Sequence, residues 1–212
     1  MGGAGTTAST RKARSAETEA ALKDAAKRVF ARTGYLKAKI TDITAEAGRA
    51  AGSFYSHFGS KEDLLEALLV DMVDANDVRV EEPEHSPDFT DPAAVRWHVE
   101  MYWRFFSANR SVVAALHQAA LVDPRFADRL RQLVDSDLRD LASHLEHIRA
   151  ASGRLPGDPL VVASAMMSLM NQFAAVWLTG RPPEDRSLSD EEAVDTLTAF
   201  IVHGISGPPQ GS

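Results

Sequence analysis

Apolar residues recur along this chain three and four positions apart, the spacing that puts them on one face of a helix. Leu22, Ala25, Ala26, Val29 and Phe30 predict a first helix over residues 18–33, with Gly34 as its stop. Ile43, Ala47, Phe54 and Phe58 predict two short helices around one small core, the second over about 50–58, with Gly48 allowing the sharp reversal between them. Leu64, Leu65, Leu68, Leu69, Met72 and Val73 then form the wide apolar face of a longer helix over 61–80. Residues 81–91 hold two prolines and no periodicity, and read as a loop or mobile segment.

Beyond this point the helix starts are written in the polar residues. Asp91-Pro92, Asp123-Pro124 and Asp158-Pro159 share one signature, because Asp accepts from free first-turn amides and Pro has no amide to satisfy there. Helices are expected over 92–109, 110–121, 124–152 and 159–179, with Gly153 and Gly180 beyond the ends of the last two. A final helix over 190–205 follows the capping box Ser189 and Glu192, and Ser60 with Asp63 marks the helix at 61 in the same way. The fold class is all-α, with an N-terminal three-helix unit over 16–62 and a C-terminal helical domain over 63–206. Residues 1–15 are Gly/Ser/Thr-rich with three basic residues and read as a disordered basic arm, and 207–212 as a disordered tail.

Charge changes this picture. The chain carries a net −7, but residues 1–61 hold 11 Lys and Arg against 5 Asp and Glu, whereas residues 62–212 hold 12 against 25. A basic N-terminal unit attracts phosphate, and an acidic remainder is pushed away from it. The chain has no cysteine, which excludes disulfide frameworks, thiol catalysis and Cys-based zinc sites and agrees with a reducing cytoplasm. Residues 1–14 have no apolar run, so no signal peptide is expected there.

Residues 41–61 are the element around which the rest is arranged: a helix-turn-helix whose second helix suits a DNA major groove. The residues that would face base edges, Ala50, Ala51, Gly52 and Ser53, offer methyls, one hydroxyl and backbone. Arg49 is the one strong donor beside them, with two readings: a bidentate contact to guanine, or a bond to a phosphate or local carbonyl. Arg11, Lys12 and Arg14 fit either an arm touching DNA or a solvated tail. His144 and His147 have helical spacing, but Glu146 and Arg149 beside them favour a solvated face over a metal site. No phosphate loop or nucleophile motif is present, and nothing calls for a cofactor, so no enzyme activity is expected.

Ala47, Gly48, Gly52, Ser53, Phe54, Tyr55, His57, Phe58, Ser60, Lys61 and Glu62 together resemble the tetracycline-repressor (TetR) type of transcriptional regulators, over roughly residues 18–70. Arg49 departs from the usual aliphatic residue of that pattern, and Ala50 from the usual Ser or Thr cap. The resemblance implies that Thr41, Tyr55, His57 and Lys61 contact phosphates; Thr41 also fits a plain N-cap, and His57 a structural histidine. It further implies a cytoplasmic, nucleoid-associated homodimer that binds a palindromic DNA operator and releases it when a small effector binds. Trp97, Met101, Tyr102, Phe105, Met167, Met170, Phe173 and Trp177 form an aromatic and methionine concentration suited to an adaptable apolar pocket, with His117 and Asn171 to orient a ligand. Each of them also fits ordinary core, and the resemblance is what favours a cavity. The segment 160–178 is apolar on nearly every side, long enough for a membrane span but interrupted by Ser164, Ser168, Asn171 and Gln172. Burial on two faces accounts for it: one lines the pocket, the other meets a second subunit together with Val194, Leu197, Ile201 and Ile205. A constitutive or architectural DNA-binding dimer, or a helical small-molecule-binding protein or enzyme, are the alternatives.

Overall fold

The apolar stripe of the first helix does what its spacing requires. In a computed structural model that describes residues 4–80, 86–152, 155–179 and 186–205, Leu22, Ala25, Ala26, Val29 and Phe30 are all buried along α1 (Ala4–Thr33). The helix stops where Gly34 takes φ 74°, its amide bonding Phe30 O at 2.9 Å. It also starts earlier than the stripe: residues 4–15, expected as an arm, continue the helix. That stretch contains no proline and no apolar face, so periodicity could not register it.

The chain divides into two compact units, Met1–Ala75 with Ser111–Ala127, and Asn76–Arg110 with Asp128–Ser212. In the first, α1 packs on α2 (Ile40–Glu46), and α2 packs on α3 (Ala51–Tyr55). Glu46 ties α2 back to α1 by accepting from Arg28 Nε at 2.7 Å and Arg32 Nη2 at 3.2 Å, and these bonds, Arg28 first, hold its carboxyl below the usual range. α4 (Lys61–Val80) starts at the expected cap, with Asp63 N donating to Ser60 Oγ at 3.1 Å, and buries Leu64, Leu65, Leu68, Leu69 and Met72. Val112, Ala115, Leu116, Ala119 and Phe126 complete this core.

In the second unit the Asp-Pro signatures hold. Asp91 accepts from Ala93 N, and Asp158 from Leu160 N, each at 2.9 Å, at the starts of α5 (Pro92–Ala120) and α7 (Pro159–Ala174). Asp123, in the first unit, does the same for Arg125 N at the start of α6 (Pro124–Ser152). α7 runs into a π-helical turn, Ala175–Thr179, and packs on α8 (Asp190–Ile205), whose start is capped by Ser189 Oγ accepting from Glu192 N at 3.1 Å. Trp103 lies at the centre, 1% exposed, its indole N–H donating to Asp190 Oδ1 at 2.8 Å. The helix break expected at residues 109–110 is not there: α5 is continuous, because neither glycine nor proline interrupts it and Asn109 bonds back to Phe105 O at 2.9 Å. Among the described residues no strand occurs. The expected stops at Gly153 and Gly180, the tail from Gly207 and residues 81–85 of the expected loop lie outside the described residues.

Two left-handed glycines give a paired test. An added Cβ at Gly34 would lie 3.0 Å from Gln118 Oε1, which accepts from Leu36 N, whereas one at Gly48 (φ 62°) would meet nothing within 4 Å. Gly34→Ala and Gly48→Ala should each cost about 1–2 kcal/mol from the backbone alone. In urea unfolding Gly34→Ala should lose more, and Gln118→Ala in that background should restore part of the difference.

Candidate nucleic-acid interface

The reversal between α2 and α3 is a Schellman turn: Gly48 N donates to Ala45 O at 3.1 Å, and Arg49 N to Thr44 O at 2.9 Å. With φ at 62°, Gly48 occupies a conformation that side chains with a Cβ rarely adopt. Ile43 and Phe54 are fully buried beside it, and Phe58 is nearly so, its ring 5.6 Å from that of Phe54. α3 itself is shorter than expected, Ala51–Tyr55, and Ala50 makes no side-chain cap. Phe54 O takes the amides of both His57 and Phe58, at 2.9 and 2.8 Å, so the chain turns off the helix while still burying Phe58.

This leaves Ala50, Ala51 and Gly52 exposed and Ser53 half-buried. Gly52 is the informative one: a Cβ there would meet nothing within 4 Å. Nothing inside the chain requires the glycine, although glycine in a helix costs about 1 kcal/mol relative to Ala. A bare backbone at this point suits close approach from outside, as base edges demand.

The polar residues around this surface differ in how free they are. Tyr55 is 62% exposed. Thr41 is exposed too, but lies inside the first turn of α2. The cap position is Lys39, whose amide is accepted by Asp42 Oδ2 at 3.1 Å, which corrects the expectation that Thr41 starts the helix. Lys61 is committed inward: its Nζ donates to Tyr35 O at 2.9 Å and Ala38 O at 3.1 Å and lies 4.2 Å from the centre of the Tyr35 ring. Burial lowers its pKa, and one of its three donors is left for an outside partner. The Tyr35 hydroxyl donates to Glu62 Oε1 at 2.9 Å, and burial, then this carboxylate, raises its pKa. His57 is half-buried with Nδ1 3.8 Å from Glu19 Oε2, and half-buried Arg49 donates from Nη2 to Glu17 Oε1 at 3.3 Å. Both acids lie on α1. No local sequence signal links Glu17 to Arg49, since 32 positions separate them.

In the second unit Trp97, Met101, Tyr102, Phe105, Met167, Phe173 and Trp177 are half-buried, and Met170 is buried. Tyr102 Oη donates to Asn171 Oδ1 at 2.6 Å, and burial, then Asp137, raises the pKa of its phenol. His117 is exposed and belongs to the first unit, apart from the rest of that set in the chain's division. An open, mostly polar pocket of about 320 Å³ lies on a neighbouring face of α5, lined by Arg96, Glu100, Trp103, Arg104, Asp190, Glu191 and Val194. Val194, Leu197, Ile201 and Ile205, expected at a subunit interface, are each 4% exposed or less within one chain, so they fill its own core. The exposed large apolar residues of α7 and α8 are Leu160, Val161, Leu169 and Phe200. His144, expected on a solvated face, is half-buried with its ring 4.9 Å from His98 and 5.3 Å from Phe89, while His147 is exposed. Among the described residues no group of three or more His, Cys, Asp and Glu could hold a metal ion.

Comparison with known proteins agrees with this geometry. Residues 22–68 match the family described as bacterial regulatory proteins, tetR family. The chain is 23% identical to the HTH-type transcriptional regulator EthR of Mycolicibacterium smegmatis, over 90% of this chain and 87% of that one. It is 34% identical to the HTH-type transcriptional regulator TtgR of Pseudomonas putida over 36% of each chain. Its fold is similar to the crystal structure of a putative transcriptional regulator from Saccharomonospora viridis in complex with choline, with a TM-score of 0.73, 24% identity and coverage of 91% of this chain and 100% of that one. Residues 22–68 thus carry the helix-turn-helix of the tetR family of bacterial regulatory proteins, and the chain, with its exposed small-residue surface and all-helical second unit, is similar over most of its length to DNA-binding transcriptional regulators.

Proposed function

We propose that this regulator is a repressor that binds a palindromic operator as a homodimer and lets go of it when a small, largely apolar effector binds. The observation that carries the reading is the state of α7 and its neighbours. The most apolar 18-residue window of Pro159–Thr179 has a mean hydropathy of 1.5, and the segment is apolar and long enough to cross a membrane, yet only 28% of that window is buried within the chain. In a DNA-binding regulator, a second copy is the cover that such a helix fits. Leu160, Val161 and Leu169 on α7 and Phe200 on α8 supply the apolar face of a two-fold interface, a role that Val194, Leu197, Ile201 and Ile205 no longer have surface to fill. Two-fold symmetry would set two copies of α3 into successive major grooves about one helical turn apart, which is why the operator is expected to be palindromic.

The effector reading rests on the seven large side chains of α5, α7 and the π-turn that stay half-buried, neither sealed core nor free surface, with the Tyr102–Asn171 pair as the polar handle. The structure similar to this one that holds choline supports a small organic ligand for this architecture. An effector that favours one arrangement of the dimer over another would change operator affinity by the difference in its own affinity for the two. A constitutive DNA-binding dimer is the reading that replaces this one if no ligand alters operator affinity.

Four outcomes test the reading. Light scattering at micromolar concentration should give twice the mass of one chain. Val161→Glu with Phe200→Glu should halve that mass and weaken operator binding by about 100-fold or more through lost bivalency; a dimer that survives both changes would place the interface elsewhere. Tyr55→Ala should lower affinity by about 1 kcal/mol on every duplex alike and leave the melting temperature unchanged. Lys61→Met should lower both, because the carbonyls of Tyr35 and Ala38 lose their donor, at about 1–3 kcal/mol.

A further inference from the structure

Arg49 is the one arginine beside the exposed base-reading surface, and its side chain is oddly placed. The Schellman turn fixes its backbone immediately before Ala50, Ala51 and Gly52. Of the five donors of its fork, Nη2 makes a single bond to Glu17 Oε1, 3.3 Å long, and Nε is buried with no hydrogen-bond partner among the described residues. Its side chain is 35% exposed and that of Glu17 72%. The arrangement is repeated next door, where Glu19 stands 3.8 Å from His57 Nδ1 and 3.3 Å from Lys23 Nζ. Residues 1–61 contain only 5 acidic side chains, and two of them face these two residues of the interface.

We propose that Glu17 is an internal competitor for Arg49, which holds the guanidinium in the free protein, so that a DNA acceptor engages Arg49 only by displacing the carboxylate and Glu17 sets how much affinity this arginine contributes. The proposal rests on the DNA-binding reading of the helix-turn-helix and assigns an affinity-setting role to a residue outside it. A carboxylate presents the same kind of acceptor as DNA. An exposed ion pair of this kind is worth a factor of about 1.4 to 5, whereas a bidentate guanine contact is worth a factor of about 5 to 140. On a duplex without a guanine in reach, Arg49 stays with Glu17 and the neutral pair releases no counterion. On a duplex with one, the fork leaves the carboxylate and the guanine contact outweighs the lost pair.

The test uses full-length protein and Glu17→Gln, which keeps the shape and removes the charge at an exposed position. Binding to a random-sequence duplex and to the duplex the wild type enriches from a random pool is followed by fluorescence anisotropy across a salt series. Glu17→Gln should bind the random duplex about 1.4- to 5-fold more tightly. Its plot of log K against log salt should be steeper by about 0.9, as one more phosphate is engaged. Affinity for the enriched duplex should rise by the full worth of the broken pair, about 1.4- to 5-fold and at least as much as on the random duplex. In an Arg49→Ala background the same substitution should change neither. An equal gain on both duplexes that persists without Arg49 would mean plain charge repulsion and overturn the proposal, as would no change on either. A wild type that binds no DNA would overturn the DNA-binding reading itself, a result distinct from both.

Discussion

The left-handed turn at Gly48 is the constraint on which the DNA-binding surface depends. α3 has only five residues and no side-chain cap, and an isolated helix of that length has no stability of its own. It persists because the turn fixes where it starts and because Phe54 and Phe58 are buried on either side of its end. Tertiary burial therefore does the work that helix propensity does elsewhere. This frees the outward positions to be small: Ala50, Ala51 and Gly52 contribute nothing to the core, and so are available to let a groove approach.

Charge around that surface is handled by partial commitment. Lys61 gives two donors to carbonyls of the turn between α1 and α2 and keeps one, which makes it structural and available at once. Arg49 and His57 each have a carboxylate of α1 beside them. The net excess of cations over residues 1–61 is therefore less a uniform positive field than a set of side chains whose alternative partners are already in place.

Local rules made much of this legible from sequence alone. The stripe of α1, the caps at Ser60, Asp91, Asp123, Asp158 and Ser189 and the turn at Gly48 each depend on a few neighbouring residues and on backbone chemistry that does not vary with context. What was not legible depends on partners far away in the chain. The polar first half of α1 and the unbroken α5 have no periodicity or breaker to mark them. The stripe of Val194, Leu197, Ile201 and Ile205 says that this face of α8 is covered, but not by what; the cover is the chain's own core. Glu17 and Arg49 meet only because α1 passes the turn, and no spacing rule spans that distance.

The central claim is that two copies of this weakly featured surface, set by symmetry and sharpened by one arginine, read a specific DNA sequence. Selection of bound duplexes from a random pool by the purified protein at near-physiological salt, followed by sequencing, tests it directly. The account predicts an enriched inverted repeat with half-sites one helical turn apart, or a multiple of it. Binding that is merely salt-sensitive, with no enriched sequence, would contradict it and leave a protein held on DNA by phosphate charge alone.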